Sequence, residues 1–383
     1  MSKVRVGVVG LGNMGRFHSD YLSQGKVGRC ELAAVASSDP QKLAKYPNAK
    51  KFASGEELID SGMVDAVLIA TPHYSHTTFG IRALNRGLHI MVEKPISVHK
   101  ADCLRLIEAS RKTKLVFGAM FQLRTEPRYQ KLKKLIVEGE LGEIVRVSWI
   151  ITDWFRTEAY YSSGGWRATW KGEGGGALLN QCPHQLDLMQ WLCGMPSKIH
   201  GFAQFGRYHN IEVEDNVTVY FEYPNGATGV FITSTGESPG TNRFEIAGDR
   251  GKIVIEQGKV SFTRNESSMR EFSRSAKSGF ARPDVWNIDI PIENASSQHA
   301  TVMQNFVDAI LDGAPLIVPG EEGLRSVEWA NAALYSTWTG QTVELPLDAT
   351  AYEKLLQEKI AASKFEKTVV APVQDDFTKS FIR

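Results

Sequence analysis

The sequence predicts two domains of different class, an α/β domain followed by an α+β domain. A chain of 383 residues is long enough to bury two separate cores. Up to about residue 122, apolar runs alternate with helical patterns at regular spacing, which is typical of a doubly wound parallel sheet. Beyond that point, strand candidates follow one another across short turns, and tight connections of this kind join antiparallel neighbours. The second domain is therefore predicted to hold an open, mostly antiparallel sheet.

The first domain, residues 1–122, is predicted from short apolar strands that each lead into a helical pattern. The run 65–71 is apolar on both of its faces, as a central parallel strand must be. The strand candidates of this domain are residues 4–9, 31–37, 65–71, 89–95 and 114–121.

The second domain, residues 123–345, is predicted from longer β-rich stretches, two of which contain the turn sequences 224–226 and 249–251. The last stretch, 346–383, is more polar, and we expect an extension that wraps the body or serves a contact. The strand candidates lie within residues 144–155, 198–208, 216–235, 242–264 and 341–347, and the helix candidates are 126–138, 178–193, 299–312 and 321–339.

Composition and charge exclude several classes of partner. The formal net charge is +1 and the chain has no block of lysines or arginines, so we expect neither a nucleic-acid nor a membrane partner. The N-terminus lacks the pattern of a signal peptide, and no apolar stretch is long enough to span a bilayer. The sequence thus predicts a cytoplasmic protein. The four cysteines lack paired or zinc-like spacing, so we expect reduced thiols and no metal site (Cys30, Cys103, Cys182 and Cys193).

A glycine-rich turn directly follows the first predicted strand. Gly10, Gly12 and Gly15 form the spacing GxGxxG, with Asn13 and Met14 inside it. Glycines there permit a tight turn, close approach of the backbone to a pyrophosphate, and close packing of helix against strand. The following helix N-terminus would offer free N–H groups to the phosphates. The pattern predicts an N-terminal Rossmann domain that binds NAD or NADP; the alternative is a purely structural turn.

The end of the second strand indicates which dinucleotide is preferred. An acidic residue there would accept hydrogen bonds from the adenosine ribose and repel a 2′-phosphate. This chain has Ser37 and Ser38 at that point, with Asp39 following. Because small hydroxyls can donate to a phosphate, the sequence slightly favours NADP over NAD, although the serines could simply begin a loop.

Three further segments carry a resemblance to a known family: "DAVLIATPHYSH" at 65–76, "MVEKP" at 91–95 and "GGGALLNQCPHQLD" at 174–187. Together with the glycine turn, these segments resemble the Gfo/Idh/MocA family of NAD(P)-dependent oxidoreductases, in order and from about residue 3 to residue 345. The resemblance implies that the second domain carries the substrate site. It also implies oligomerisation, with a homodimer or homotetramer as the expected form.

The resemblance assigns roles to individual residues. Glu93 would lie beside the nicotinamide ribose, Lys94 would face the substrate, and His184 matches the catalytic histidine of the family. Asn180 departs from the family pattern, since many members have aspartate there. The remaining residues would lie along the cofactor (Thr71, Pro72 and His76) or on a segment that crosses between the domains, where Gln122 would contact the cofactor and Arg124 the substrate.

The chemistry of alcohol oxidation supports two catalytic assignments. A base must remove the hydroxyl proton while a hydride leaves carbon, and a nearby cation stabilises the developing alkoxide. We therefore expect His184 to be the general acid/base and Lys94 the polarising cation, although the roles could be reversed or His184 could only position the substrate. Asn180, unlike aspartate, could hold a hydroxyl but would not raise the basicity of His184.

The local sequence around His184 predicts how these groups are presented. Asn180, His184 and Asp187 have the spacing of one helix face, but Pro183 should kink that helix. The glycines 174–176 would let the backbone run against the nicotinamide or the sugar; the alternative is a turn packed against a strand.

An aromatic and basic loop between the domains supplies the last candidates. Trp166, Arg167 and Lys171 are expected to contact the substrate, because aromatic faces suit sugar C–H groups and cationic donors suit hydroxyls or an acidic group. A packed aromatic loop edge is the alternative. The function expected is hydride transfer between NAD(P) and a secondary hydroxyl or ketone of a sugar, glycoside or inositol-like polyol. The alternatives are glycoside cleavage through transient oxidation by bound NAD, and a regulator without catalysis.

Overall fold

A computed structural model describes residues 3–293 and 298–370 of the chain. Two sheets organise these residues, and each sheet has its own buried core. In this part of the chain, no helix combines the length and the apolar character needed to cross a membrane.

The first sheet is parallel throughout and confirms the doubly wound fold. Its described strands are six, in the order β3-β2-β1-β4-β5-β6. The order reverses direction between β1 and β4, and in such sheets ligands bind outside the carboxyl ends of the strands at this point. The strands are β1 (Val4–Val9), β2 (Cys30–Ala36), β3 (Lys50–Phe52), β4 (Ala66–Ile69), β5 (His89–Val92) and β6 (Phe117–Ala119).

The third strand was not predicted, because it is a short edge strand with two exposed lysines and no apolar run. Helices cover both faces of the sheet and bury apolar side chains against it. One of them comes from the second stretch of the chain: α10 (Gln298–Asp312) buries Met303 and Phe306 against this sheet. The stretch 123–345 is thus not confined to the second sheet. The other helices are α1 (Asn13–Ser23), α2 (Pro40–Ala44), α3 (Gly55–Asp60), α4 (Tyr74–Asn85) and α5 (Lys100–Arg111).

The second sheet is open and mostly antiparallel, as predicted. Its described strands are nine, in the order β14-β13-β12-β11-β7-β10-β9-β8-β15, and only the central neighbours β7 and β10 run parallel. The expected strands 144–155 and 341–347 are too long, since the chain leaves the sheet after Ile151 and pairs only at Val343–Glu344. The strands are β7 (Ile144–Ile151), β8 (Lys198–Phe205), β9 (Glu214–Glu222), β10 (Thr228–Ser234), β11 (Asn242–Gly248), β12 (Gly251–Glu256), β13 (Lys259–Asn265), β14 (Val285–Ile290) and β15 (Val343–Glu344).

Helices cover one face of the second sheet, and Trp329 of α11 is buried against Phe221 and Phe231 of the strands. The predicted helices 126–138, 299–312 and 321–339 are confirmed within one or two residues at each end. Part of the predicted extension forms α12, which is joined to α5 by an ion pair between Glu353 and Arg105. The helices are α6 (Pro127–Val137), α7 (Glu158–Ser162), α8 (Pro183–Cys193), α9 (Met269–Ser275), α11 (Gly323–Thr339) and α12 (Ala349–Ala362).

Candidate active site

The glycine turn at the end of β1 has the geometry of a phosphate cradle. Gly10 has a φ of +91°, and a Cβ on Gly15 would lie 1.7 Å from the Gly10 carbonyl oxygen. A Cβ on Gly12 would meet nothing within 4 Å, and no side chain caps the start of α1 at Asn13. The first amides of α1 therefore face open space, as a helix N-terminus that binds a pyrophosphate must. Met14 is half-buried beside them.

The residues at the end of β2 present hydroxyls rather than a free carboxylate. Ser37 is half-buried and its Oγ accepts from the Asp39 amide at 3.1 Å, whereas Ser38 is exposed. The Asp39 carboxylate caps α2 by accepting from the Gln41 amide at 3.0 Å and lies 3.5 Å from the Lys42 amine. A carboxylate used in this way is less available to a ribose.

The loop after β4 is tied to the next loop of the sheet by His76. One ring nitrogen lies 2.8 Å from the Pro95 carbonyl oxygen and the other lies 2.8 Å from that of Thr71. Burial lowers the pKa of His76, although both carbonyls oppose the shift. The Thr71 hydroxyl is buried without a hydrogen-bond partner in the described residues, next to Pro72, so it is free to bind a ligand.

Glu93 is a fully engaged carboxylate below this loop. It accepts from the His18 ring at 2.6 Å and from the Lys94 amide at 3.1 Å, and the other His18 nitrogen lies 2.7 Å from the Tyr21 hydroxyl. Burial alone would raise the pKa of Glu93, but the hydrogen bond and charge of His18 outweigh it and lower the pKa to about 2. Glu93 is therefore ionised at neutral pH and supplies negative charge beside Lys94.

The Lys94 side chain reaches across to the second domain. Its amine donates to the backbone carbonyl of Asn180 at 2.8 Å. Burial lowers its pKa; Glu93 opposes the shift, while Arg167 and Arg156 add to it. A lysine with a lowered pKa beside a cleft is a common feature of catalytic sites.

His184 lies at the start of α8, where its ring packs edge-on against Phe121 with centroids 5.7 Å apart. One ring nitrogen is 3.3 Å from the Gln122 side-chain amide, and the other is buried without a partner among the described residues. Burial and the charge of Lys94 hold its pKa well below the usual range. The imidazole is therefore neutral at physiological pH and can accept a proton.

The expectation of one helix carrying Asn180, His184 and Asp187 is wrong. Residues Ala177–Gln181 form a π-helical turn, and α8 begins only at Pro183, whose missing N–H ends the preceding hydrogen-bonding pattern. Both Asn180 and His184 still face the site, because Lys94 contacts the first and electrostatically influences the second.

The glycines 174–176 serve packing against protein rather than against a ligand. A Cβ on Gly174 would lie 2.0 Å from a Val98 methyl, and one on Gly176 would lie 2.1 Å from the Glu214 carbonyl oxygen. The expectation that this backbone runs against the nicotinamide or sugar is corrected accordingly, in favour of a turn packed against β9.

Two buried carboxylates that the sequence reading missed hold this turn. Glu214 accepts from the Gly176 and Leu178 amides at 2.8 and 2.9 Å, and burial raises its pKa to about 7. Glu173 accepts from the Ala168 amide at 2.7 Å and from the Asn180 side-chain amide, and burial raises its pKa as well. The long separation between Glu214 and the turn leaves no local sequence signal for this contact.

Arg124 is committed to ion pairs rather than open to a substrate. Its side chain is 1% exposed, and it contacts Asp187 at 2.6 Å and Glu322 at 2.5 Å. A second bond from Nε to Asp187 at 2.8 Å makes that pair bidentate. This geometry gives Arg124 and Asp187 a structural role behind the site and argues against the expected contact of Arg124 with substrate.

The aromatic and basic loop lies near Lys94. Arg167 is stacked on Tyr160 and Trp166, and Trp166 packs against His73 with centroids 5.1 Å apart. His73, at the N-cap position of α4, is buried, and its ring nitrogen lies 3.2 Å from the Glu173 carbonyl oxygen. Lys171 is exposed at the edge of this loop.

Comparison with known proteins adds independent findings. A family model described as "Oxidoreductase family, NAD-binding Rossmann fold" matches residues 4–121, and one described as "GFO/IDH/MocA C-terminal domain" matches residues 129–254. Inositol 2-dehydrogenase of Corynebacterium glutamicum is 29% identical over 273 residues, covering 64% of this chain and 77% of that protein. Levoglucosan dehydrogenase of Pseudarthrobacter phenanthrenivorans is 26% identical, and the match covers 90% of this chain and 99% of that protein. Among solved structures, the fold matches the WlbA dehydrogenase from Bordetella pertussis in complex with NADH and UDP-GlcNAcA. The TM-score is 0.76 at 26% identity, and the match covers 90% of this chain and 100% of that one.

Proposed function

The chain belongs to the Gfo/Idh/MocA family of oxidoreductases, and we propose that Lys94 and His184 carry out its reaction on a secondary alcohol. Its relatives include inositol and levoglucosan dehydrogenases, which identifies it as an NAD-binding oxidoreductase of sugar or polyol CH–OH groups. The proposed substrate is a sugar, glycoside or inositol-like polyol, or the matching ketone. The observation that carries the proposal is the meeting of the Lys94 amine with Asn180 at 2.8 Å, beside a buried neutral His184.

The dinucleotide would be held at the carboxyl ends of the first sheet. The uncapped start of α1, the open space at Gly12 and the unpartnered Thr71 hydroxyl all fit such a ligand. Accepting or donating a hydride is the chemistry that a bound nicotinamide supplies. Ser37 and Ser38 favour NADP slightly, because neither would repel a 2′-phosphate.

The chain's own residues would handle the proton and the charge. A neutral His184 accepts the hydroxyl proton, and Lys94 stabilises the developing alkoxide as an ammonium ion. Asn180 orients Lys94 by accepting a hydrogen bond at its backbone carbonyl, and its own side-chain amide is held by Glu173. The lowered pKa of Lys94 would also allow the reverse assignment, with Lys94 as base.

The protein is further proposed to be a cytoplasmic homodimer or homotetramer that assembles through the uncovered face of the second sheet. Phe202 of β8 and Tyr220 of β9 are exposed on their strands, at 60% and 40%. Exposed aromatic side chains on an open sheet favour association. Size-exclusion chromatography with light scattering measures the state directly.

The test is a panel of sugars, glycosides and inositols, each with NAD⁺ and NADP⁺, read by nicotinamide absorbance. Lys94→Ala and His184→Ala should each lower kcat by roughly 10²- to 10⁴-fold while dinucleotide binding is retained. Lys112→Ala, at the exposed end of α5, is the matched control and should behave as wild type.

Each other outcome has a defined meaning. Near-normal turnover by either variant removes that residue from the mechanism. Glycoside cleavage without net nicotinamide turnover would replace the proposal with transient oxidation and elimination. Dinucleotide binding with no turnover on any substrate would indicate a regulator.

A further inference from the structure

We propose that the substrate carries an oxyanion, a carboxylate or a phosphate ester, and that Arg156 and Arg167 bind it. The inference rests on the proposed function and names its substrate class. It starts from two arginines that have no carboxylate within 4.0 Å in the part of the chain that the structure describes.

Arg167 is held rigidly in place by aromatic rings. Its guanidinium carbon lies 4.7 Å from the Tyr160 ring centroid and 4.5 Å from that of Trp166, and it donates to the Tyr160 hydroxyl at 2.9 Å. Gln181 also donates to that hydroxyl, at 3.0 Å. A fixed, planar guanidinium is pre-organised for two parallel hydrogen bonds to one carboxylate or phosphate.

Arg156 lies over the same Tyr160 ring, at 5.1 Å, and over Trp154 at 5.2 Å. It donates one bond, to the Phe155 carbonyl at 3.1 Å, whereas its Nε is buried without a partner among the described residues. A buried donor with no acceptor is costly unless a ligand supplies one.

These two arginines share their surroundings with Lys94. Both act on Lys94 in the same direction as burial, lowering its pKa, so the three cations lie within electrostatic reach of one another. The two carboxylates that act on these cations, Glu93 on Lys94 and Glu173 on Arg167, are already engaged by other donors. Glu93 is bonded to His18, and Glu173 is bonded to Ala168 and Asn180 while burial raises its pKa. Excess positive charge of this kind favours an anionic ligand.

A neutral sugar fits this loop less well. Sugar C–H faces stack on exposed aromatic faces, but the rings of Tyr160 and Trp166 already pack against the Arg167 guanidinium. The loop therefore offers cationic donors to a ligand, with one face of each of these rings already covered.

The experiment compares three substrates of the same ring stereochemistry: a neutral sugar, its uronic acid and its 6-phosphate. The wild type should favour one of the two acids by roughly 10- to 100-fold in kcat/KM, the range expected for charge-assisted hydrogen bonds. The preferred acid identifies whether the oxyanion is a carboxylate or a phosphate.

Variants then assign the preference to these residues. Arg167→Gln and Arg156→Gln should each lower the acid-to-neutral ratio of kcat/KM by roughly 10-fold or more, chiefly through a higher KM for the acid. Arg167→Lys should recover part of the loss, because it keeps the charge without the planar fork. Arg111→Gln, on the surface of α5, is the matched control.

Two results would overturn the proposal: a neutral sugar used as well as either acid, or an acid-to-neutral ratio unchanged in both arginine variants. If no substrate is turned over, thermal shift with the uronic acid and the sugar phosphate decides separately. Stabilisation that is lost in Arg167→Gln would uphold the oxyanion site while the redox function fails. No stabilisation by either acid would overturn the site as well.

Discussion

Replacing Arg124 separates its structural role from a role in substrate binding. Arg124 and Asp187 are each 1% exposed and share two hydrogen bonds, at 2.6 and 2.8 Å. Arg124→Met would leave the Asp187 carboxylate buried, with Gln190 as its only side-chain donor within residues 3–293 and 298–370, at 3.0 Å. Removing one partner of a buried pair costs about 3–5 kcal/mol, whereas the partly exposed Glu322 adds little.

This loss of stability converts into a large thermal shift. For a domain of about 150–250 residues, each kcal/mol lowers Tm by about 2–4 °C, so Arg124→Met should lower Tm by about 6–20 °C. Circular dichroism or differential scanning fluorimetry measures the shift. The double variant Arg124→Met/Asp187→Asn should recover much of it, because the asparagine is uncharged and keeps an oxygen for Gln190.

The opposite pattern would refute this reasoning. If Arg124→Met keeps the wild-type Tm but raises KM strongly, the guanidinium binds substrate and the ion pair is incidental. If the double variant is no more stable than Arg124→Met, the unpaired charge of Asp187 is not the cause of the lost stability.

Three shorter predictions address the cofactor site and the turn. Gly12→Ala should keep the wild-type Tm but weaken NADH binding in a fluorescence titration. Gly15→Ala should lower the Tm and also weaken NADH binding, because only its Cβ would collide with backbone, at 1.7 Å. Equal Tm values for the two variants would contradict this. Ser37→Asp should move the ratio of kcat/KM values toward NAD⁺, and an unchanged ratio would count against the assignment. Glu214 has a pKa raised to about 7, so its protonated form stabilises the fold below its unfolded pKa and that contribution is lost as pH rises through about 7. Glu214→Gln should remove this fall in Tm between about pH 5 and about pH 8. A plot of Tm against pH that runs parallel to that of the wild type would show that Glu214 does not titrate there.

The sequence predicted both sheets because their signals are local. The apolar run of β4 and the GxGxxG turn each lie within one stretch of the chain, and so do the turns that separate the antiparallel strands. Strand β3 was not predicted, because an exposed edge strand needs no apolar face and so carries no apolar pattern. The break before α8 was indicated by Pro183, but the π-helical turn was not, since Glu214 holds it from β9.

In the candidate site, too, local motifs were predictable and long-range contacts were not. Motifs predicted Lys94, Asn180 and His184, and the structure brings these three residues together. The carboxylates Glu173 and Glu214 have no motif, and only tertiary structure reveals that they fix the turn that carries Asn180. The ion pairs of Arg124 were not predicted for the same reason, because its partners Asp187 and Glu322 come from distant parts of the chain.

The electrostatics of the site link its proposed chemistry to its proposed substrate. The charge of Lys94 helps keep His184 neutral, and two arginines help lower the pKa of Lys94 itself. An oxyanion bound at these arginines would offset their effect and raise the pKa of Lys94. Lys94 would then be more fully protonated when substrate is present, as stabilising an alkoxide requires, and its charge would keep His184 neutral and ready to accept the proton. A substrate without the anion would leave Lys94 less fully protonated, so specificity for the oxyanion should appear in kcat as well as in KM.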